Sequence, residues 1–587
     1  MKKLLLLLHF AFYILALQAQ NVGIGTPTPK AKLHIKGSAD TSQLIIDANS
    51  QQSNLRPLIR LRNSSGIDIM HIHADNIFNT FVGLNAGRSN NGVFGGEGNT
   101  FIGSGSGYSN STGRFNTANG FHSLYSNTLG SNNTAHGYEA LNYNTLGNSN
   151  TAYGFGTLYA NVAGSNATAI GHGAMYYANN QATAYTNNNV ALGFEALRGS
   201  IYASTNTGQF NTALGYQTLW SNTEGFYNSA AGYQALYSNT TAGFNTAIGY
   251  ASLSNQSYNN GGTTWPSFNT AIGAFALYAN QPISTFGGVN NTATGYSALT
   301  NNTVGYDNTA TGFRAGQINT EGYGNSFFGS RAGANNNGYF NMAIGLEALL
   351  NNTSGNFNAA VGSTALITNT TGGRNTSLGA GSDVDAINSN FNTIVGSSAH
   401  IFGNNDVVIG YNAYTNASNI ALLGSVTTTQ CGGYANWSNY SDGRFKTNVD
   451  EKVKGLDFIM RLRPVTYHMD VKGIYNLWGI SPYGKEEDKM TASMKTEIDN
   501  AVNNKEAIRM SGFIAQEVEK AAQQSGYDFD GVIKPAHDKD HYRLAYGEFV
   551  VPLVKAMQEQ QAIIKNQQEQ IDELKTNLQK LLIANKP

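Results

Sequence analysis

Charge is what this sequence has least of. Asp, Glu, Lys and Arg make up 12% of 587 residues and nearly cancel, at a net charge of −1. Such a chain offers no electrostatic footprint for nucleic acid, so no nucleic-acid partner is expected. Proline is scarce, 10 residues against 67 glycines, which disfavours a Pro-rich disordered stalk and favours ordered repeats. The single cysteine, Cys431, excludes an internal disulfide framework. No Cys/His cluster surrounds it, so no metal is expected and Cys431 reads as a small buried residue. Long apolar runs are missing after the first twenty residues. That first run, Leu4 to Leu17, follows Lys2 and Lys3 and leads into Gln18-Ala19-Gln20. It reads as a secretory signal peptide, residues 1–19, and is too short for a comfortable membrane span. The expected mature chain is secreted or held at the cell surface.

Residues 20–78 read as a β-rich adapter. Lys32-Leu33-His34-Ile35-Lys36 alternates as a strand does, and Leu44 to Ala48 and Leu58 to Asn63 add further β-prone pieces. The opening V-G-I-G-T-x-x-P from Val22 is similar to the start of many secreted bacterial tail-fibre-like proteins.

From Asn79 to about residue 430 a unit close to N-T-A-x-G-x-x-A-L-x-x-N-T-x-G recurs. Its leading asparagine falls at Asn116, Asn133 and Asn150, at Asn211, Asn228 and Asn245, and at Asn291, Asn308 and Asn325. The series closes with Asn341, Asn358, Asn375 and Asn392. Steps within these groups are 17 residues, the step from Asn325 to Asn341 is 16, and longer steps elsewhere are the same unit with loop insertions. A period held this closely makes each unit one coil of a solenoid. T-A-x-G and the piece carrying A-L read as two short strands per coil, with Asn and Gly supplying positive-φ turns. Stacked asparagines can form a hydrogen-bonded ladder along the axis. Only three or four apolar residues fall in each coil, which suggests that other chains help to bury them. The pattern resembles the heads of trimeric autotransporter adhesins and phage tail fibres, which implies a homotrimeric fibre. Surface glycans or cell-surface receptors are further expected partners, through the Thr/Asn face or through Tyr216, Trp220, Tyr233 and Tyr237. The coils lack the recurrent Asp of a metal-binding β-roll and the paired carboxylates of a glycosidase. No cofactor is called for.

After Ser441 the composition turns charged and helix-forming. A helix is expected at Val453 to Met460, a strand at Pro464 to Met469 and a polar, partly helical insertion over 471–509. A strand passing into a helix follows at Gly512 to Glu519, then a strand at Tyr542 to Tyr546. A long helix closes the chain. Met557, Ile564, Ile571 and Leu578 take one heptad core position; Leu553, Gln560, Gln567, Leu574 and Leu581 take the other. Residues 553–584 thus read as a coiled coil, with packing of this helix on its own domain as the alternative. The fold class is mostly β, a trimeric solenoid followed by an α+β domain and the coil.

Four ordered stretches carry a closer likeness. S-D-G-R-F-K-T-N-V from Ser441, L-R-P-V-T-Y from Leu462, G-F-I-A-Q-E-V-E from Gly512 and the run from Tyr546 through Phe549 to Glu559 resemble the intramolecular chaperone auto-processing domain. That domain ends endosialidase-type phage tailspikes and also occurs in a membrane-bound eukaryotic transcription factor. The resemblance, spanning residues 439–552 and the coil, implies a domain that trimerises, guides folding of the fibre before it and then cuts itself off. The implied cut lies between Ser441 and Asp442, with Ser441 as nucleophile and Lys446 as base.

Such a lysine must lose its proton, which requires burial or a nearby cation. Arg444 can supply that push or can pair with Asp442, and Gly443 permits a tight bend at the cut. Asn448, His468, Gln516 and Glu517 are positioned in sequence to orient the pair or bind an oxyanion, with structural roles as the alternative. The expected enzyme is a single-turnover autoprotease. An uncleaved C-terminal cap and a glycan-binding rod are the competing readings.

Overall fold

A computed structural model of the chain describes residues 22–37, 44–47, 56–432, 434, 438–484 and 487–585. The signal peptide expected at residues 1–19 lies outside the described residues. The chain divides into two compact units, Met1–Thr207 and Gly208–Pro587.

In the first unit, Val22–Ile24 pairs in parallel with Leu33–Ile35. Ile59–Arg62 and Asp68–His73 form an antiparallel pair, and Asp68–His73 continues antiparallel onto Thr80–Val82, the first repeat strand. From there the sheet runs parallel, one three-residue strand per coil, through Thr100–Ile102, Thr117–Asn119, Thr134–His136, Thr151–Tyr153, Thr168–Ile170 and Val190–Leu192. In the second unit a parallel ladder of the same kind runs from Thr212–Leu214 to Ala421–Leu423, in register. A second short sheet, Asp383–Val384, His400–Ile401 and Tyr414–Thr415, appears in its last coils.

Each coil closes its own interior. The alanine at the centre of T-A-x points inward and is buried, as at Ala118, Ala135 and Ala152, and so is the leucine of A-L, as at Leu124, Leu141 and Leu158. The remaining space is filled by two asparagine columns rather than by more hydrocarbon. In the first, Asn116 Nδ2 donates to Gly130 O at 2.9 Å, while its Oδ1 accepts the Asn133 backbone N–H at 2.9 Å. In the second, Asn127 Nδ2 donates to Gly130 O at 2.9 Å and to Asn110 Oδ1 at 2.6 Å. A fully paired amide can occupy a core position without the penalty of an orphaned polar group. Scarcity of apolar residues therefore does not require other chains to fill the interior.

The A-L piece is not a strand. Glu139 and Leu141 both adopt positive φ, 54° and 53°, and the same alternation recurs at Gln234 and Leu236. The Leu141 N–H still bonds the next coil, at Thr157 O, so coil-to-coil pairing continues through a zigzag of left-handed residues. Positive φ costs a residue with a Cβ roughly 1–2 kcal/mol, offset here by leucine burial and the inter-coil bond. Glycine is indispensable where the chain leaves the strand. At Gly137, φ is +135° and an added Cβ would sit 2.4 Å from Gly154 O.

Outside the coils, rings stack along the axis at nearly the coil spacing. Phe121, Tyr138, Phe155, His172 and Phe194 form one column, with centroids 4.8–5.3 Å apart. Tyr216 stacks on Tyr233 at 5.1 Å and Trp220 on Tyr237 at 5.2 Å.

Among the described residues of the C-terminal module the α-helices are α1 (Leu456–Ile459), α2 (Val471–Trp478), α3 (Ala492–Ala507), α4 (Ala515–Ser525) and α5 (Val550–Ala584). Helix α2 falls in the segment read as polar insertion. Asp470 caps it, accepting from Gly473 N–H, and Gly479 ends it with φ 71°. Val465–Tyr467 pairs antiparallel with Met510–Gly512, and Val532–Ile533 with Arg543–Leu544. Phe458, Val518, Ala521, Ala522, Phe529 and Phe549 form the core that joins α1, α4 and the start of α5. The Glu559 carboxylate accepts the Leu456 N–H at 2.7 Å, capping α1 from α5. Beyond that turn α5 leaves its own domain, and Ile564, Ile571, Leu574, Leu578 and Leu581 are all exposed. Cys431, read as buried, is exposed, because it lies in the linker after the last coil.

Candidate functional site

Ser441 and Lys446 are five residues apart, and a single tight turn brings them together. Gly443 to Phe445 form one 3₁₀ turn, with Lys446 N–H donating to Gly443 O. Asp442 caps it: its carboxylate accepts the Arg444 backbone N–H at 2.8 Å. The turn folds the chain back so that Lys446 Nζ reaches Ser441 Oγ at 2.9 Å.

Arg444 takes the second of its two anticipated roles. Its guanidinium binds the Asp442 carboxylate through Nε at 2.9 Å and Nη2 at 2.5 Å. That pairing, helped by the backbone bond, holds the Asp442 carboxyl below the usual carboxylate range and raises Arg444 further. Both groups are solvent-exposed, so the pair contributes little to stability. It does fix the residue that follows the implied cut. Gly443 is unhindered, with open space where a Cβ would stand.

Each of the other residues anticipated at the site has its own surroundings. Asn448 sits just past the turn at φ 55°. Glu517, at the start of α4, is held by Arg463 in a two-pronged ion pair at 2.9 and 2.5 Å, which keeps its carboxyl low. Gln516 lines a cavity of about 790 Å³ with Arg463, Tyr467, Phe513 and Tyr546, whereas Ser441 and Lys446 stand on the exposed segment and not on that wall. His468 Nδ1 lies 3.0 Å from the Glu506 carbonyl, tying its strand to the end of α3. Sequence reading missed Arg463 as the partner of Glu517 because 54 residues separate them. Only the basic residue inside L-R-P hinted at it.

Every described side chain from 438 to 452 is exposed. Tyr440 is fully open, and Phe445 and Val449 are each 81% exposed, so three bulky apolar groups flank the Ser–Lys pair uncovered. Among the described residues, no group of three or more His, Cys, Asp or Glu side chains could hold a metal ion, and no helix is long and apolar enough to cross a membrane.

Residues 441–527 match the family model Peptidase_S74, chaperone of endosialidase. The match opens on Ser441 and takes in α1 to α4. No curated protein matches the chain.

Proposed function

We propose that this chain is a secreted or cell-surface homotrimeric fibre whose C-terminal module serves as its folding chaperone and then severs itself at Ser441–Asp442. The observation that carries the reading is the 2.9 Å contact from Lys446 Nζ to Ser441 Oγ at the first residues of the family match. The repeat before it supplies the fibre, and the uncovered heptad stripe on α5 supplies a reason to trimerise.

In this mechanism neutral Lys446 takes the Ser441 hydroxyl proton, the oxygen attacks a carbonyl, and the lysine returns the proton to the departing amine. Water then opens the ester. Attack by Ser441 on its own carbonyl closes a four-membered ring; attack on the Tyr440 carbonyl closes an easier five-membered one. The first residue of the released fragment separates them: Asp442 for the family's bond, Ser441 for the bond before it. Neutral lysine requires desolvation. Tyr440, Phe445 and Val449, bare in one chain, are the groups that would supply it once covered by neighbouring chains, coupling the cut to assembly.

Expression of the full chain followed by denaturing electrophoresis and mass spectrometry tests this. A fragment Asp442–Pro587 is expected, absent from Ser441→Ala and from Lys446→Ala; efficient cutting in both variants would overturn the assignment. The exposure of the pair favours one alternative, a structural cap that is never cut, for which the unmodified chain stays whole. A glycan-binding rod draws less support, because the stacked rings turn their faces to each other and offer sugars only their edges.

A further inference from the structure

The second short sheet of the solenoid ends at Tyr414–Thr415, the last strand in its order. A terminal strand presents unpaired backbone groups and ordinarily lies open. Here Tyr414, Thr415 and Asn416 are at most 9% exposed. What covers them is the C-terminal module. The Tyr414 ring lies 5.1 Å from the Trp478 ring of α2. Asn416 is held on both sides: its Nδ2 donates to Lys539 O at 2.9 Å, and His537 Nε2 lies 2.5 Å from its carbonyl oxygen. Two residues before Tyr414 in the same coil, Asn412 Nδ2 donates to Pro482 O at 2.8 Å. Lys505 of α3 donates to Thr428 O at 2.6 Å, and Val426 packs on the cluster of Val471, Tyr475 and Val502.

All the fibre-side groups in these contacts precede residue 429, and all the module-side groups follow residue 468. The proposed cut lies between them, on a stretch exposed from 438 to 452. We propose that cutting does not release the module: the severed C-terminal fragment stays bound as a cap on the last coil, through the Trp478–Tyr414 and Asn416 contacts. The cut changes a covalent junction into a non-covalent one, and the edge at Tyr414–Thr415 stays covered against pairing with other edges. Three modules joined by their coil would hold three such edges at once, so that dissociation requires all to let go. The insertion 471–509, which supplies α2 and α3, is on this view one element that recognises the fibre end, and the segment carrying His537 and Lys539 is the other.

This rests on the cleavage reading for its biological occasion, but its test does not. A site-specific protease sequence is inserted between Ser438 and Asn439 in the Ser441→Ala chain, and cutting is driven to completion as judged on a denaturing gel. The nicked protein is then run on size exclusion with light scattering at physiological salt. Co-elution of the fragment with the fibre is expected. Separation of the two from the otherwise unaltered chain would overturn the proposal. The same experiment with Asn416→Ala and Lys505→Ala together should release the fragment, with at least tenfold weaker retention; a fragment retained undiminished in that double variant would overturn the assigned contacts. Because Asn416 lies on the fibre and Lys505 near the end of α3, outside the buried cluster, the module's own core is untouched in this variant. Failure of self-cleavage is read separately, from the mass of the chain with Ser441 intact and no inserted site.

Discussion

Lys446 Nζ lies 2.9 Å from Ser441 Oγ on a turn whose side chains are all open to solvent. A hydrogen-bonded lysine and a lysine able to accept a proton are different things, and Lys446→Arg distinguishes them. Arginine preserves the cation and a donor but stays protonated in proteins. The expected outcome is an intact chain that still assembles, with cutting slowed on the order of 100-fold or more. Band intensities over a time course and light scattering on the same sample check both halves.

Ile564 and Ile571 lie on the free length of α5, 48% and 45% exposed in the single chain. Neither packs on its own domain, so Ile564→Asp with Ile571→Asp should leave a lone module undisturbed. If three chains share that stripe, two buried charges per helix will break the association. Light scattering should fall from a trimer mass toward a monomer mass, with loss of soluble fibre. An unchanged mass would sink the coiled-coil assignment.

Asn127 bridges three coils, donating to Asn110 and Gly130 while its Oδ1 accepts from Asn144 Nδ2 at 2.8 Å. Asn127→Ala removes these bonds and takes from the buried Asn110 Oδ1 its Asn127 donor, at a cost of about 1–3 kcal/mol. Stability in a solenoid is set by nearest neighbours. Hydrogen exchange should therefore accelerate over roughly residues 110–144 and remain unchanged several coils away.

Asp406 stands where the coils before it place the leading asparagine. It is fully buried, its backbone N–H bonded to Asn392 Oδ1 at 3.0 Å and its carboxylate accepting the Ile420 N–H at 2.8 Å. Burial raises its pKa despite the bonds it accepts. A group raised in the folded state favours folding below its unfolded pKa and loses that contribution as pH rises through the folded value. Above that window the acid is thus a burden to the folded chain. Asp406→Asn should raise the melting temperature by roughly 2–4 °C at pH 7, with the gain shrinking toward pH 4. Thermal melts at the two pH values check the sign.

The period of the fibre and the heptads of α5 were legible because both are patterns of residue type at fixed spacing. The Ser441–Lys446 contact was legible because one turn suffices to make it. What escaped was set by through-space packing. Leu141 and Glu139 have no residue-level reason to be left-handed; the coil-to-coil bond to Thr157 and the buried leucine hold them there. The interior looked underfilled when only apolar residues were counted, since a doubly bonded asparagine fills the place of a hydrocarbon side chain without resembling one. The ion pair between Glu517 and Arg463 joins residues 54 positions apart, and no spacing in the sequence links them. The docking of Trp478 and His537 on the last coil joins segments more than sixty residues apart, and neither carries a spacing that announces the other.

The asparagine columns have a consequence for how such a chain changes length. Asn127 meets the same neighbours above and below that Asn144 meets, so a coil inserted or deleted between them presents the identical seam to both sides. Reach can thus be lengthened or shortened in whole coils, each worth one 17-residue segment of gene, with the terminal modules left as they are.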